Sequence, residues 1–109
     1  MNFNLRILTV DDDPLVSTLL KQTLQGMGYE VQVAHSAADA SKVAKTFDPD
    51  IAIVDVDLGA GPDGFDLATA LKTASPALAV VFLTNVSDPR LAGKTARNLP
   101  AGAGYLLKS

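Results

Sequence analysis

Leu5-Arg6-Ile7-Leu8-Thr9-Val10-Asp11-Asp12-Asp13-Pro14 is the stretch on which the reading of the fold turns. Its first half is a short apolar run closed by three aspartates. A run of that length predicts a strand buried on both faces, as in parallel sheets. Asp13-Pro14 then predicts a helix start. Asp13 can accept bonds from the free N–H groups of the first turn, and Pro14 suits the first helical position because it has no N–H to lose. Leu15, Val16, Leu19, Leu20 and Leu24 form a helical stripe, and Gly26 and Gly28 end it.

The same unit repeats outward along the chain. Glu30 to Ala34 predicts a second strand, and Ser36 caps a helix reaching about Thr46, stopped by Asp48-Pro49. Asp50 to Val56 predicts a third strand, apolar until Asp55. A glycine-rich loop spans Gly59 to Gly64, Phe65 to Ala74 reads as a helix, and Leu78 to Thr84 is the fourth and most hydrophobic strand. Asp88-Pro89 opens a weaker helix to about Asn98, and Ala103 to Leu107 is a fifth strand. Strands alternating with helices predict one α/β domain over residues 1–109, with a parallel sheet and right-handed crossovers.

Composition narrows the function. The chain has 109 residues, is 48% hydrophobic and contains no cysteine. It can bury an aliphatic core, and it offers no disulfide or thiolate chemistry. Net charge is −3 and no basic block exists, which argues against direct nucleic-acid or anionic-membrane binding. With no signal-like start and no apolar run long enough to span a bilayer, a soluble cytoplasmic domain is the expectation.

An open α/β sheet binds ligands at the carboxyl ends of its strands. Asp11, Asp12 and Asp13 close the first strand, Asp55 and Asp57 the third, Thr84 the fourth and Lys108 the fifth. Asp13 is better explained as a helix cap, and an aspartate pair after a strand is by itself an ordinary turn feature. Asp55 differs, because a carboxylate directly after Ile51-Ala52-Ile53-Val54 is costly without a partner. Clustered carboxylates repel one another, and a divalent cation relieves the repulsion. An all-oxygen donor set favours a hard ion such as Mg2+ or Mn2+. His35, the one histidine, reads as a surface turn residue.

These residues in this order resemble the response-regulator receiver family. The matching segments are Ile7 to Pro14, Ile53 to Leu58, Asp63-Gly64, Val81 to Thr84 and Gly104 to Lys108. The resemblance implies a flavodoxin-like, doubly wound five-stranded sheet in the order 2-1-3-4-5. It implies that Asp55 accepts a phosphoryl group from a phosphohistidine on a sensor histidine kinase. By position, Asp12 matches the direct metal-ligating acid, Asp11 the acid acting through water, and the Asp57 main-chain carbonyl the third protein ligand. Thr84 matches the hydroxyl that bonds the phosphoryl group, Lys108 the lysine that pairs with it, and Tyr105 the aromatic whose rotamer follows Thr84.

The chain departs from the family pattern in four places. The loop Gly59-Ala60-Gly61-Pro62 is one residue longer than usual, Asn85 replaces a small residue after Thr84, and Ser109 replaces the common proline after Lys108. The family also has a further helix after the fifth strand. Its absence here leads to the expectation of a longer parent chain with an output domain, or of a second chain, as in a homodimer, covering that face. Two rival functions fit parts of the pattern. Asp55-Val56-Asp57 resembles the acid pair of haloacid-dehalogenase-type phosphohydrolases, and the altered loop is compatible with a pseudo-receiver that only binds partners.

Overall fold

A computed structural model of the chain describes residues 5–56, 63–84 and 104–107, with the side chains of Thr84 and of 104–107 outside the description. The anticipated helix near 88–98 lies outside the described residues. Four strands, β1 (Arg6–Val10), β2 (Glu30–Ala34), β3 (Ile51–Asp55) and β4 (Ala79–Thr84), alternate with three helices, α1 (Pro14–Gly26), α2 (Ala37–Phe47) and α3 (Gly64–Ala74). They form a parallel sheet in the order 2-1-3-4, and the backbone of β5 (Gly104–Leu107) pairs along β4. Strand limits differ from the sequence reading by a residue or so, as element ends commonly do.

Period-two alternation sends successive side chains to opposite faces of the sheet. Leu8, Val10, Ala52, Val54, Val80 and Phe82 belong to one buried cluster, with Ala40 of α2 and Phe65, Leu67, Ala68 and Leu71 of α3. Ile7, Val31, Ile53 and Leu83 belong to a second, against which Val16, Leu20 and Leu24 of α1 pack. Because both faces are covered, the strands read as continuous apolar runs rather than as alternating ones. Phe65 and Phe82, with ring centroids 4.8 Å apart and planes tilted by 46°, fasten α3 to β4.

Local chemistry sets the helix ends. The Asp13 side chain accepts from the Leu15 N–H at 3.0 Å, and Ser36 Oγ accepts from Asp39 N at 3.1 Å. Asp63 and Asp66 form a reciprocal capping box at the start of α3. At the end of α1 the Tyr29 N–H reaches Leu24 O and the Gly28 N–H reaches Gln25 O, with Gly28 at φ 98°. That is the Schellman arrangement, in which the left-handed position favours glycine.

Thr9 is the odd residue in β1. It is fully buried, and its hydroxyl has no hydrogen-bond partner among the described residues. Thr9→Val keeps the shape and removes the buried hydroxyl, so it is expected to stabilise the fold by about 1 kcal/mol. Urea unfolding of the two proteins measures this, and a destabilised variant would contradict it.

Candidate phosphoacceptor and metal site

The strand ends bring three of the anticipated acids together. Val10 of β1 pairs in register with Val54 of β3, so Asp11, just past β1, and Asp55, the last residue of β3, stand side by side at the carboxyl edge of the sheet. Each of Asp11, Asp12 and Asp55 offers a carboxylate oxygen within 4.8 Å of those of the other two. Asp11 and Asp55 are buried, at 0% and 3% exposure, and Asp12 is exposed. Two acids are thus held by the fold and the third opens to solvent. Three carboxylates at this separation repel strongly when ionised, and the donor set, all hard oxygen, fits a divalent cation such as Mg2+.

The backbone around the acids is closely tied. The Asp11 N–H donates to Ala34 O at 3.1 Å, continuing the β1–β2 pairing. Asp11 Oδ1 accepts from the Asp13 N–H at 2.9 Å, the two-residue turn that aspartate favours. The Asp11 carbonyl accepts from Ser17 Oγ at 3.2 Å and meets His35 Nδ1 at 3.1 Å. At the end of β3 the Val56 N–H donates to Leu83 O, and Val56 O accepts from the Gly64 N–H, both at 3.0 Å. A Cβ on Gly64 would stand 2.8 Å from the Asp55 carbonyl carbon and 2.9 Å from Val56 Cα. Only glycine allows α3 to begin this close to the acid.

Three positions were not legible from sequence as part of this neighbourhood. In the sequence Gly64 reads as the end of a glycine-rich loop, although Asp63-Gly64 is among the matching segments. Ser17 falls inside the first helix but outside its apolar stripe, and nothing in the sequence singles it out. His35 reads as a surface turn residue; it is exposed, and its ring reaches the Asp11 carbonyl. Of the other anticipated residues, Thr84 ends β4, one residue past Leu83, which pairs with Asp55. The backbone of Tyr105 pairs with Phe82, and Leu107 pairs with Thr84. The side chains of Thr84 and Tyr105, and all of Asp57 and Lys108, lie outside the described residues.

Residues 7–109 match the family model of the response regulator receiver domain. The chain belongs to the response regulator receiver family. Among curated relatives, it is 32% identical over 106 residues to the probable transcriptional regulatory protein TcrX of Mycobacterium tuberculosis, an alignment covering 94% of this chain and 42% of TcrX. It is 35% identical over 103 residues to the transcriptional regulatory protein ZraR of Salmonella typhimurium, covering 94% of this chain and 22% of ZraR. The receiver therefore spans less than half the length of either relative.

Solved structures agree. The Vibrio cholerae chemotaxis protein CheY4 aligns with a TM-score of 0.84 at 26% identity, over 97% of this chain and 88% of that one. The N-terminal domain of a response regulator/sensory box/GGDEF protein from Carboxydothermus hydrogenoformans aligns with a TM-score of 0.81 at 34% identity, over 95% and 82% of the two chains. The receiver fold is the flavodoxin-like α/β architecture. Among its described residues no helix is long and apolar enough to cross a membrane.

Proposed function

We propose that this receiver accepts a phosphoryl group on Asp55 from a phosphohistidine of a sensor histidine kinase, with Mg2+ or Mn2+ as the cofactor. The observation that carries the reading is the buried Asp55 at the end of β3, sharing one small space with Asp11 and Asp12. An oxygen of Asp55 bonds to phosphorus as the bond from phosphorus to the donor nitrogen breaks, and the histidine leaves. Asp12, Asp55 and the main-chain carbonyl of Asp57 would hold the ion, and Asp11 would act through water. The chemistry such an ion would supply is positive charge against the negative charge of the phosphoryl group.

The other roles follow from the charge that arrives. Phosphorylation adds about −1.5 to −2 charge and new acceptor oxygens at the sheet edge. Lys108 pairs with that charge, and the Thr84 hydroxyl donates to a phosphoryl oxygen. Movement of Thr84 frees space for Tyr105 to turn inward, which biases a two-state equilibrium at the surface around β5. The domain acts as a phosphoacceptor that catalyses its own transfer and slow dephosphorylation, not as a turnover enzyme. We further propose that residues 1–109 form one receiver unit working in the cytoplasm, within a regulator whose output domain the receiver controls, and assembling as a homodimer.

Intact-mass measurement after incubation with acetyl phosphate tests the reading. With Mg2+ the chain is expected to gain one phosphoryl group, and with a chelator none. No gain under either condition would indicate a pseudo-receiver. Multiple turnover of a generic phosphate ester would indicate a haloacid-dehalogenase-type phosphohydrolase.

A further inference from the structure

We propose that Ser17 and His35 are positioning residues for the Asp11-Asp12 acid pair, which they hold through the peptide bond that joins the two acids. The inference rests on the metal-binding reading above and deepens it. The Asp11 carbonyl belongs to the rigid peptide plane between the two acids, so rotating that plane redirects both carboxylates. A carbonyl oxygen has two lone pairs. Here the oxygen receives the Ser17 hydroxyl from α1, at 3.2 Å, and His35 Nδ1, from just beyond β2, lies 3.1 Å from it. On the amino side of the same residue, the Asp11 N–H is tied to Ala34 O of β2. Two different elements therefore clamp one plane.

The ordinary reading of each residue explains less. A helical serine or threonine usually returns its hydroxyl to the carbonyl four residues earlier. Thr18, Thr69 and Thr73 do so in this chain, bonding Pro14 O, Phe65 O and Thr69 O. Ser17 instead reaches Asp11, six residues back and outside its helix, and it is 2% exposed. His35 is exposed, yet its Nδ1 lies on the carbonyl rather than in solvent. Because a carbonyl only accepts, a hydrogen bond at this contact requires the proton on Nδ1. Groups that orient metal ligands from behind commonly change metal affinity by about 10- to 100-fold when removed.

The test is a titration of the whole chain with Mn2+, following the free ion by electron paramagnetic resonance, alongside thermal unfolding without metal. Ser17→Ala and His35→Ala are each expected to weaken Mn2+ binding by about tenfold. His35 is exposed, so His35→Ala is expected to unfold near the wild-type temperature without metal. His35→Asn places an amide N–H close to the Nδ1 position and is expected to restore most of the affinity. Wild-type binding with unchanged affinity in His35→Ala would overturn the proposal. So would weakened binding that Asn fails to rescue. If the wild-type chain itself binds no Mn2+, the metal reading fails, and this inference with it.

Discussion

Gly64→Ala is expected to destabilise the chain by about 3 kcal/mol, at the upper end of the range for forcing atoms into a filled core. The added methyl would stand 2.8 Å from the Asp55 carbonyl carbon and 2.9 Å from Val56 Cα, and nearer still to the Asp55 carbonyl oxygen. All three neighbours are backbone atoms at the end of a central strand, so none can swing aside as a side chain would. Either the first turn of α3 lifts away, breaking the Gly64 N–H bond to Val56 O, or the end of β3 shifts and carries Asp55 with it. The second outcome damages the site as well as the fold. Gly26 is the control, because nothing lies within 4 Å of a Cβ there, and Gly26→Ala is expected to be neutral or slightly stabilising. Urea unfolding of the three proteins decides it. A Gly64→Ala protein within about 1 kcal/mol of wild type would contradict the close approach.

Asp12→Asn is expected to weaken divalent-cation binding by at least about a hundredfold, as removal of a direct charged ligand should exceed the loss of an orienting group. Asp12 is exposed, so the substitution creates no cavity and leaves the strand pairing intact. It also removes one of three carboxylates whose oxygens lie within 4.8 Å of one another. Without metal, relief of that repulsion is expected to stabilise the fold by up to about 1 kcal/mol after solvent screening. The same substitution is thus expected to raise stability in a chelator and to remove the stabilisation expected of the wild type with added Mg2+. Thermal unfolding with and without Mg2+ reads both effects at once. An Asp12→Asn protein that still responds to Mg2+ like wild type would remove Asp12 from the metal site.

The parts of this account that were legible in the sequence share a physical cause. Buried parallel strands must be apolar on both faces, so the run into Asp11 and the run into Asp55 announce themselves, and so do the charges that end them. Helix starts at Asp13 and Ser36 were legible because capping is a local bond over two or three residues. The box at Asp63 and Asp66 is equally local, although aspartate in place of glutamate at its third position makes it easier to overlook.

What the sequence did not reveal depends on contacts between distant segments. Gly64 looks like any loop glycine until β3 lies beneath it. Ser17 looks like any helical serine until its hydroxyl is seen leaving the helix. His35 is 24 residues from Asp11, and no local pattern links the two. The acid cluster lies between these cases, since strand order was needed to place Asp55 beside Asp11, and the receiver resemblance supplied that order.

In the proposed reaction Asp55 itself becomes the phosphoryl carrier. The most direct measurement is peptide mapping of the wild-type chain after acetyl phosphate and Mg2+, followed by borohydride, which reduces an acyl phosphate to an alcohol. Homoserine is expected in place of aspartate at position 55 and at no other acid, with none formed in a chelator or in Asp55→Asn. Reduction at Asp11 or Asp12, or phosphate that persists in Asp55→Asn, would contradict it.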